Sequence, residues 1–121
     1  MGCKKIYLTN RTIEKAENIK DKFDEVEILK WGEIPNFDIV INATSVGLKG
    51  DSLDLVFNVK DKIFYDVIYN PKETQFLKEA KKNGNKTENG KFMFIYQANQ
   101  SFSIWNNVIP KIDDEVLKIL E

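Results

Sequence analysis

Three short polar clusters follow strand-like apolar runs. Ile6-Tyr7-Leu8 leads into Asn10-Arg11-Thr12, and Asp38-Ile39-Val40-Ile41 leads into Asn42-Ala43-Thr44-Ser45-Val46-Gly47. Lys62 to Ile68, with Asp66 inside it, leads into Tyr69-Asn70-Pro71. Open parallel α/β sheets bind ligands beyond the carboxyl ends of their strands, so the three clusters would line one edge. Arg11 is the only arginine among 18 basic residues. A guanidinium placed after a strand can pair with the 2′-phosphate of NADP, where NAD sites carry an acid for the ribose hydroxyls. Lys15, one helical turn on, would add a second positive charge. A solvated loop arginine is the plainer alternative.

Thr44 and Ser45 could donate hydrogen bonds to such a cofactor, with Gly47 allowing close backbone approach. An ordinary strand-to-loop turn explains them equally well. Tyr69 either points its hydroxyl into a cleft or fills the end of the core. Gly90, Met93 and Gln97 are spaced by three and four, which puts Met93 and Gln97 on one helical face. Met93 reads most simply as core. Gln97, if buried, needs partners for its amide.

Much other chemistry is excluded. The chain has no histidine, which removes Ser-His-Asp triads, Cys-His dyads and His-ligated zinc. Its single cysteine, Cys3, forms no intrachain disulfide, and a reduced, cytoplasmic setting fits best. With 18 basic and 19 acidic residues the formal charge is −1, so nothing favours nucleic acid or an anionic membrane. No apolar run reaches the length of a membrane span. No Gly-x-Gly-x-x-Gly loop exists, so the usual cradle for a pyrophosphate is missing.

The elements that must position these residues alternate. Strands are expected at 6–8, 26–29, 38–42 and 62–68. The continuous apolar centre of the third predicts burial on both faces. A helix capped by Thr12 should turn Ile13, Ala16, Ile19 and Phe23 to one face. A second should run from Thr74 to Gly84, and Thr87 marks a very short strand. Residues 91–105 predict a helix covered on most sides, and Pro110 separates it from an amphipathic helix over 113–120. Such alternation predicts an α/β domain with a mostly parallel sheet, and 121 residues allow one domain.

Together these segments resemble the C-terminal, NADP-binding half of the shikimate dehydrogenase family. Asn10-Arg11-Thr12 with Lys15 is similar to its phosphate motif. Asn42 through Gly47 is the most specific match, with Leu48 where methionine is usual. Asp66 through Pro71 followed by Thr74, Leu77, Ala80 and Gly84 fits the pattern, as do Gly90, Met93, Gln97-Ala98, Ser101-Phe102 and Trp105. Quinate and quinate/shikimate dehydrogenases share the superfamily. The resemblance implies that Asn10, Arg11, Thr12 and Lys15 hold the 2′-phosphate and that Thr44 and Ser45 lie along the cofactor. It implies that Val67, Gly90 and Met93 surround the nicotinamide, and that Tyr69 and Gln97 reach the substrate.

The same resemblance implies that the N-terminal substrate domain, with its catalytic lysine and aspartate, is absent, together with the first strand and the glycine-rich loop. The expected fold is therefore an incomplete Rossmann-like three-layer α/β domain over residues 1–121. Losing a central strand leaves unpaired edges, with three outcomes: closure of the gap, filling by a second chain, or a fragment ordered only beside its missing half. A purified sample should show self-association or marginal stability unless the sheet closes. The expected function is the NADP-binding part of an enzyme that reduces 3-dehydroshikimate to shikimate with NADPH. As a lone chain it should be inactive and bind NADP weakly, meeting shikimate or 3-dehydroshikimate only beside the missing domain. The alternative is a non-catalytic relic or regulatory module with weak nucleotide binding or a protein-interaction role.

Overall fold

A computed structural model describes residues 2–118. The chain divides into two compact units, Met1–Asn36 and Phe37–Glu121.

The first unit is a strand–helix–strand motif. Strand β1 (Ile6–Leu8), helix α1 (Ile13–Lys20) and strand β2 (Val26–Ile28) follow in order. The two strands are parallel, with Ile6 opposite Val26 and Leu8 opposite Ile28. Thr12 occupies the N-cap of α1 in extended conformation, but its side chain makes no capping hydrogen bond. The predicted apolar face is only partly realised. Ala16 is buried, whereas Ile13, Ile19 and Phe23 are exposed, and Phe23 lies beyond the helix end. A two-stranded ladder offers one helix too little surface to cover more.

The second unit carries the core. Strands β3 (Ile39–Asn42), β4 (Ile63–Asp66) and β5 (Lys86–Glu88) pair in parallel in that order. The register sets Val40 opposite Phe64 and Asn42 opposite Asp66. Helix α2 (Gln75–Lys82) connects β4 to β5. Its buried Phe76, Leu77 and Ala80 pack on Phe64, with Phe37, Val40, Leu53, Phe57 and Val59 around them. The rings of Phe37, Phe57, Phe64 and Phe76 meet mostly edge to face at 5.2–6.0 Å, an arrangement that suits their quadrupoles. Full burial of one such side chain contributes about 1.5–3 kcal/mol.

No helix joins β3 to β4. Instead Leu53, Leu55, Phe57 and Val59 alternate inward along an extended segment. Asn85 ties that segment down: its amide donates to the carbonyls of Val59 (2.9 Å) and Ala80 (3.1 Å) and accepts from the Lys62 amide (3.1 Å).

Two burial expectations need correction. The inward face of β3 carries buried Asn42 and half-buried Val40, but Ile39 and Ile41 on the other face are 53% and 59% exposed. Among the described residues nothing covers that face as α2 covers its opposite. Helix α3 (Lys91–Asn106) forms where expected, yet Ile95 is its only buried residue and Trp105 is 81% exposed. An apolar composition reports that a helix needs cover, not that its own chain supplies it. Helix α4 (Asp114–Lys118) realises part of the final predicted helix. Asp113 precedes the helix, and residues 119–120 lie outside the described residues.

Candidate functional site

In the first unit, β1 delivers the chain into a polar turn. The Asn10 amide donates to the Thr12 carbonyl at 2.8 Å, and the Lys15 amide donates to the same carbonyl at 3.2 Å. Asn10 thereby shapes the entry to α1 while Arg11, Thr12 and Lys15 stay exposed. Neither Arg11 nor Lys15 forms an ion pair among the described residues. Two uncommitted cations one helical turn apart suit an anion of the size of a phosphate. Thr9, just before them, has a buried hydroxyl oxygen without a partner.

In the second unit, the ends of β3 and β4 meet through a buried polar network. The Asn42 amide nitrogen donates to the Val46 carbonyl (3.0 Å) and to both Asp66 carboxylate oxygens (3.2 Å each). Asn42 Oδ1 accepts from the Thr44 amide (3.1 Å) and the Thr44 hydroxyl (2.8 Å). Asp66 also accepts from the Ile68 amide (3.0 Å) and the Thr74 hydroxyl (2.6 Å). Thr74 sits at the N-cap of α2 but turns its side chain to Asp66 rather than to the helix. Asp66 is 0% exposed, so these donors replace water around its carboxylate.

The network revises the role expected of Thr44. A threonine hydroxyl has one proton, and Thr44 gives it to Asn42. Its oxygen also accepts from the Val46 amide at 3.1 Å, so in this arrangement Thr44 is not a donor to a ligand. Ser45 remains exposed beside it. Gly47, at φ 115°, is where the loop turns, and a Cβ there would press on Thr74 at 3.2 Å. The Gly47 amide donates to Asp51 at 2.7 Å, and this hydrogen bond holds the Asp51 carboxyl below its ordinary value.

The loop after β4 meets the start of α3. A Cβ on Gly90 would lie 1.9 Å from the Val67 carbonyl oxygen, and the Gly90 amide donates to Ile68 at 3.1 Å. Val67 and Gly90 are therefore brought together. Tyr69 is half-buried, its ring stacked on Phe94 at 4.6 Å, and the Asn70–Pro71 bond is cis. Met93 and Gln97 are both exposed, so Gln97 is not the buried amide that would demand partners. Two clefts open in this unit. One of about 590 Å3 includes Gly47, Lys49, Asn70, Thr74 and Lys78, and one of about 220 Å3 includes Leu53, Phe57 and Phe76. Neither is lined by any of the eleven residues proposed from the sequence as site residues.

The sequence reading places Asn42, Asp66 and Thr74 in the motifs that flank the site but assigns them no role of their own. A signal was available: a carboxylate closing an apolar strand run is seldom buried unless paired, and Asn42 closes the neighbouring run.

Parallel ladders, a strand–helix–strand unit and polar strand ends place the chain in the Rossmann-like α/β class. No family model matches it. It is 55% identical over 120 residues to the shikimate dehydrogenase (NADP+) of Pelagibacter ubique, a match covering 97% of this chain and 45% of that protein. A crystal structure of a shikimate dehydrogenase in complex with NADP+ superposes with a TM-score of 0.75 at 39% identity, over 96% of this chain and 45% of the other. The shikimate 5-dehydrogenase of Listeria monocytogenes in complex with shikimate and NAD gives 0.80 at 30% identity, over 99% and 48%. The chain is homologous to the shikimate dehydrogenases over nearly its whole length, matching their C-terminal part. It spans a little under half the length of the curated relatives it matches. No helix among the described residues is long and apolar enough to cross a membrane.

Proposed function

We propose that this chain is the cofactor-holding portion of a shikimate dehydrogenase, an enzyme that transfers hydride between NADPH and 3-dehydroshikimate. The observation that carries the reading is the 55% identity along 97% of the chain to a shikimate dehydrogenase (NADP+). The uncommitted, exposed Arg11 and Lys15 support it. Asn10 and Thr12 shape the turn that presents them to the adenosine 2′-phosphate. Thr44 and Ser45 lie along the cofactor. Val67, Gly90 and Met93 border the nicotinamide, and Tyr69 and Gln97 face the substrate. The cofactor supplies the hydride; this chain binds and orients it.

As a lone chain it carries out no turnover, because the lysine and aspartate of the reaction belong to the substrate domain. NADP binds weakly without a glycine-rich loop. Its exposed strand edges and apolar faces favour self-association, and exposed Cys3 suits a reducing cytoplasm.

Titration of NADPH fluorescence with the purified chain tests this. Binding of NADPH in preference to NADH is expected, weakened roughly tenfold to hundredfold in Arg11→Ala, the worth of a charge-assisted contact. Binding of neither nucleotide, or equal binding of both, overturns the reading.

A further inference from the structure

We infer that Asn42 is a positioning residue: with Asp66 it latches the loop after β3 to the loop after β4, fixing Thr44 and Ser45 relative to Val67. The chemistry of the side chain carries the inference. Asn42 faces an acceptor on one side, the Asp66 carboxylate, and donors on the other, the amide and hydroxyl of Thr44. Only an amide of this length donates and accepts at once in that geometry. Asn42 and Asp66 are opposite each other in the ladder and are 2% and 0% exposed, so water cannot substitute for either. A continuous chain of hydrogen bonds results, from Thr44 through Asn42 and Asp66 to the Ile68 amide and the Thr74 hydroxyl. The loop after β3 has little cover of its own, since Ala43, Thr44 and Ser45 are exposed, whereas the loop after β4 is anchored by buried Ile68 and by the Gly90 amide on its carbonyl.

The inference rests on the cofactor reading only for its consequence, and the test separates the two. Amide hydrogen exchange at Thr44 and Ile68 reads the latch in the free protein. Asn42→Asp keeps the shape but sets two carboxylates together. Asp66 is the ionisable group hydrogen-bonded to Asn42, and Asp51 stands farther along the same loop on the Gly47 amide. Two carboxylates cannot donate to each other, so the bridging donor of the latch is lost. In Asn42→Asp, protection of both amides should fall roughly five- to tenfold, while the β4 amide of Phe64 stays protected. Protection unchanged in the variant, or lost at Thr44 alone, overturns the latch.

Should Asn42→Asp fail to fold, Thr74→Val removes a donor from the far end of the chain. Faster exchange at Thr44 is then expected, and an unchanged Thr44 amide overturns the latch. NADPH affinity of the folded variant should fall by about the same factor as the protection. If wild type binds no NADPH while the exchange results hold, the cofactor reading fails and the latch stands.

Discussion

The two units solve the problem of order differently. In residues 2–36 only Ala16 and Val26 are buried, and the motif stands on three ladder positions, one two-turn helix and local turns. In residues 37–118 four phenylalanine rings, two strand–strand ladders and a buried polar network lock together. The proposed phosphate-binding residues lie in the lean unit, and the residues assigned to the nicotinamide and substrate lie in the dense one. Burial this unequal should make the first unit open at lower free energy than the second. Electrostatics differ likewise. Lys5 pairs with Glu27 and lies 4.8 Å from the centre of the Tyr7 ring, all solvent-facing, whereas Asp66 is satisfied wholly inside the protein.

The sharpest way to break the contrast is Phe64→Ala. It should lower stability by about 3–5 kcal/mol in a urea melt followed by second-unit probes, because it opens a cavity at the centre of the ring cluster. A smaller loss would mean that the cluster is less tightly packed than its geometry indicates. Asn85→Ala should cost about 1–3 kcal/mol, since it strands the Lys62 amide and the Val59 carbonyl, while the Ala80 carbonyl keeps the backbone amides of residues 83 and 85. Ile13→Ser in the first unit should stay within about 0.5 kcal/mol, as an exposed side chain far from special features does. A large loss there would show that α1 has cover in solution.

The smallest effect separates the units by pH. Asp51 has a lowered folded pKa, owing first to the Gly47 amide. Its stabilising contribution is complete above the unfolded value near 3.8 and is lost as pH falls through the folded one. Lys5 has a raised pKa, owing first to its hydrogen bond with Glu27, so its contribution is complete below 10.5 and fades as pH rises through the folded value. Acid should therefore loosen the second unit's Gly47 turn, an effect abolished in Asp51→Asn. Alkali should loosen the first unit's ladder, an effect abolished in Lys5→Met. Amide exchange across the two pH ranges checks both.

The strands were legible because short apolar runs ended in turn-forming residues, and α2 because Phe76, Leu77 and Ala80 share one face. The β3–β4 connection was not legible. Its inward alternation at Leu53, Leu55, Phe57 and Val59 has strand periodicity, but it packs by side chains without joining a ladder. Cover was the other blind spot. Ile39, Ile41 and α3 have the composition of buried elements, and composition is silent on which chain provides the lid. At the candidate site, residue types marked the loops that follow the strands. They could not reveal that the Thr44 proton is already committed, because that depends on Asn42 facing back along its own loop.

Gly90 has φ −74° and ψ 2°, a conformation open to any residue, so glycine is there for its missing carbon rather than its freedom. Every other amino acid brings the same first carbon to the same carbonyl. The site is therefore indifferent to polarity, charge and size beyond that atom. In a saturation library its tolerance profile should be a single spike, where a core position such as Phe64 would show a slope.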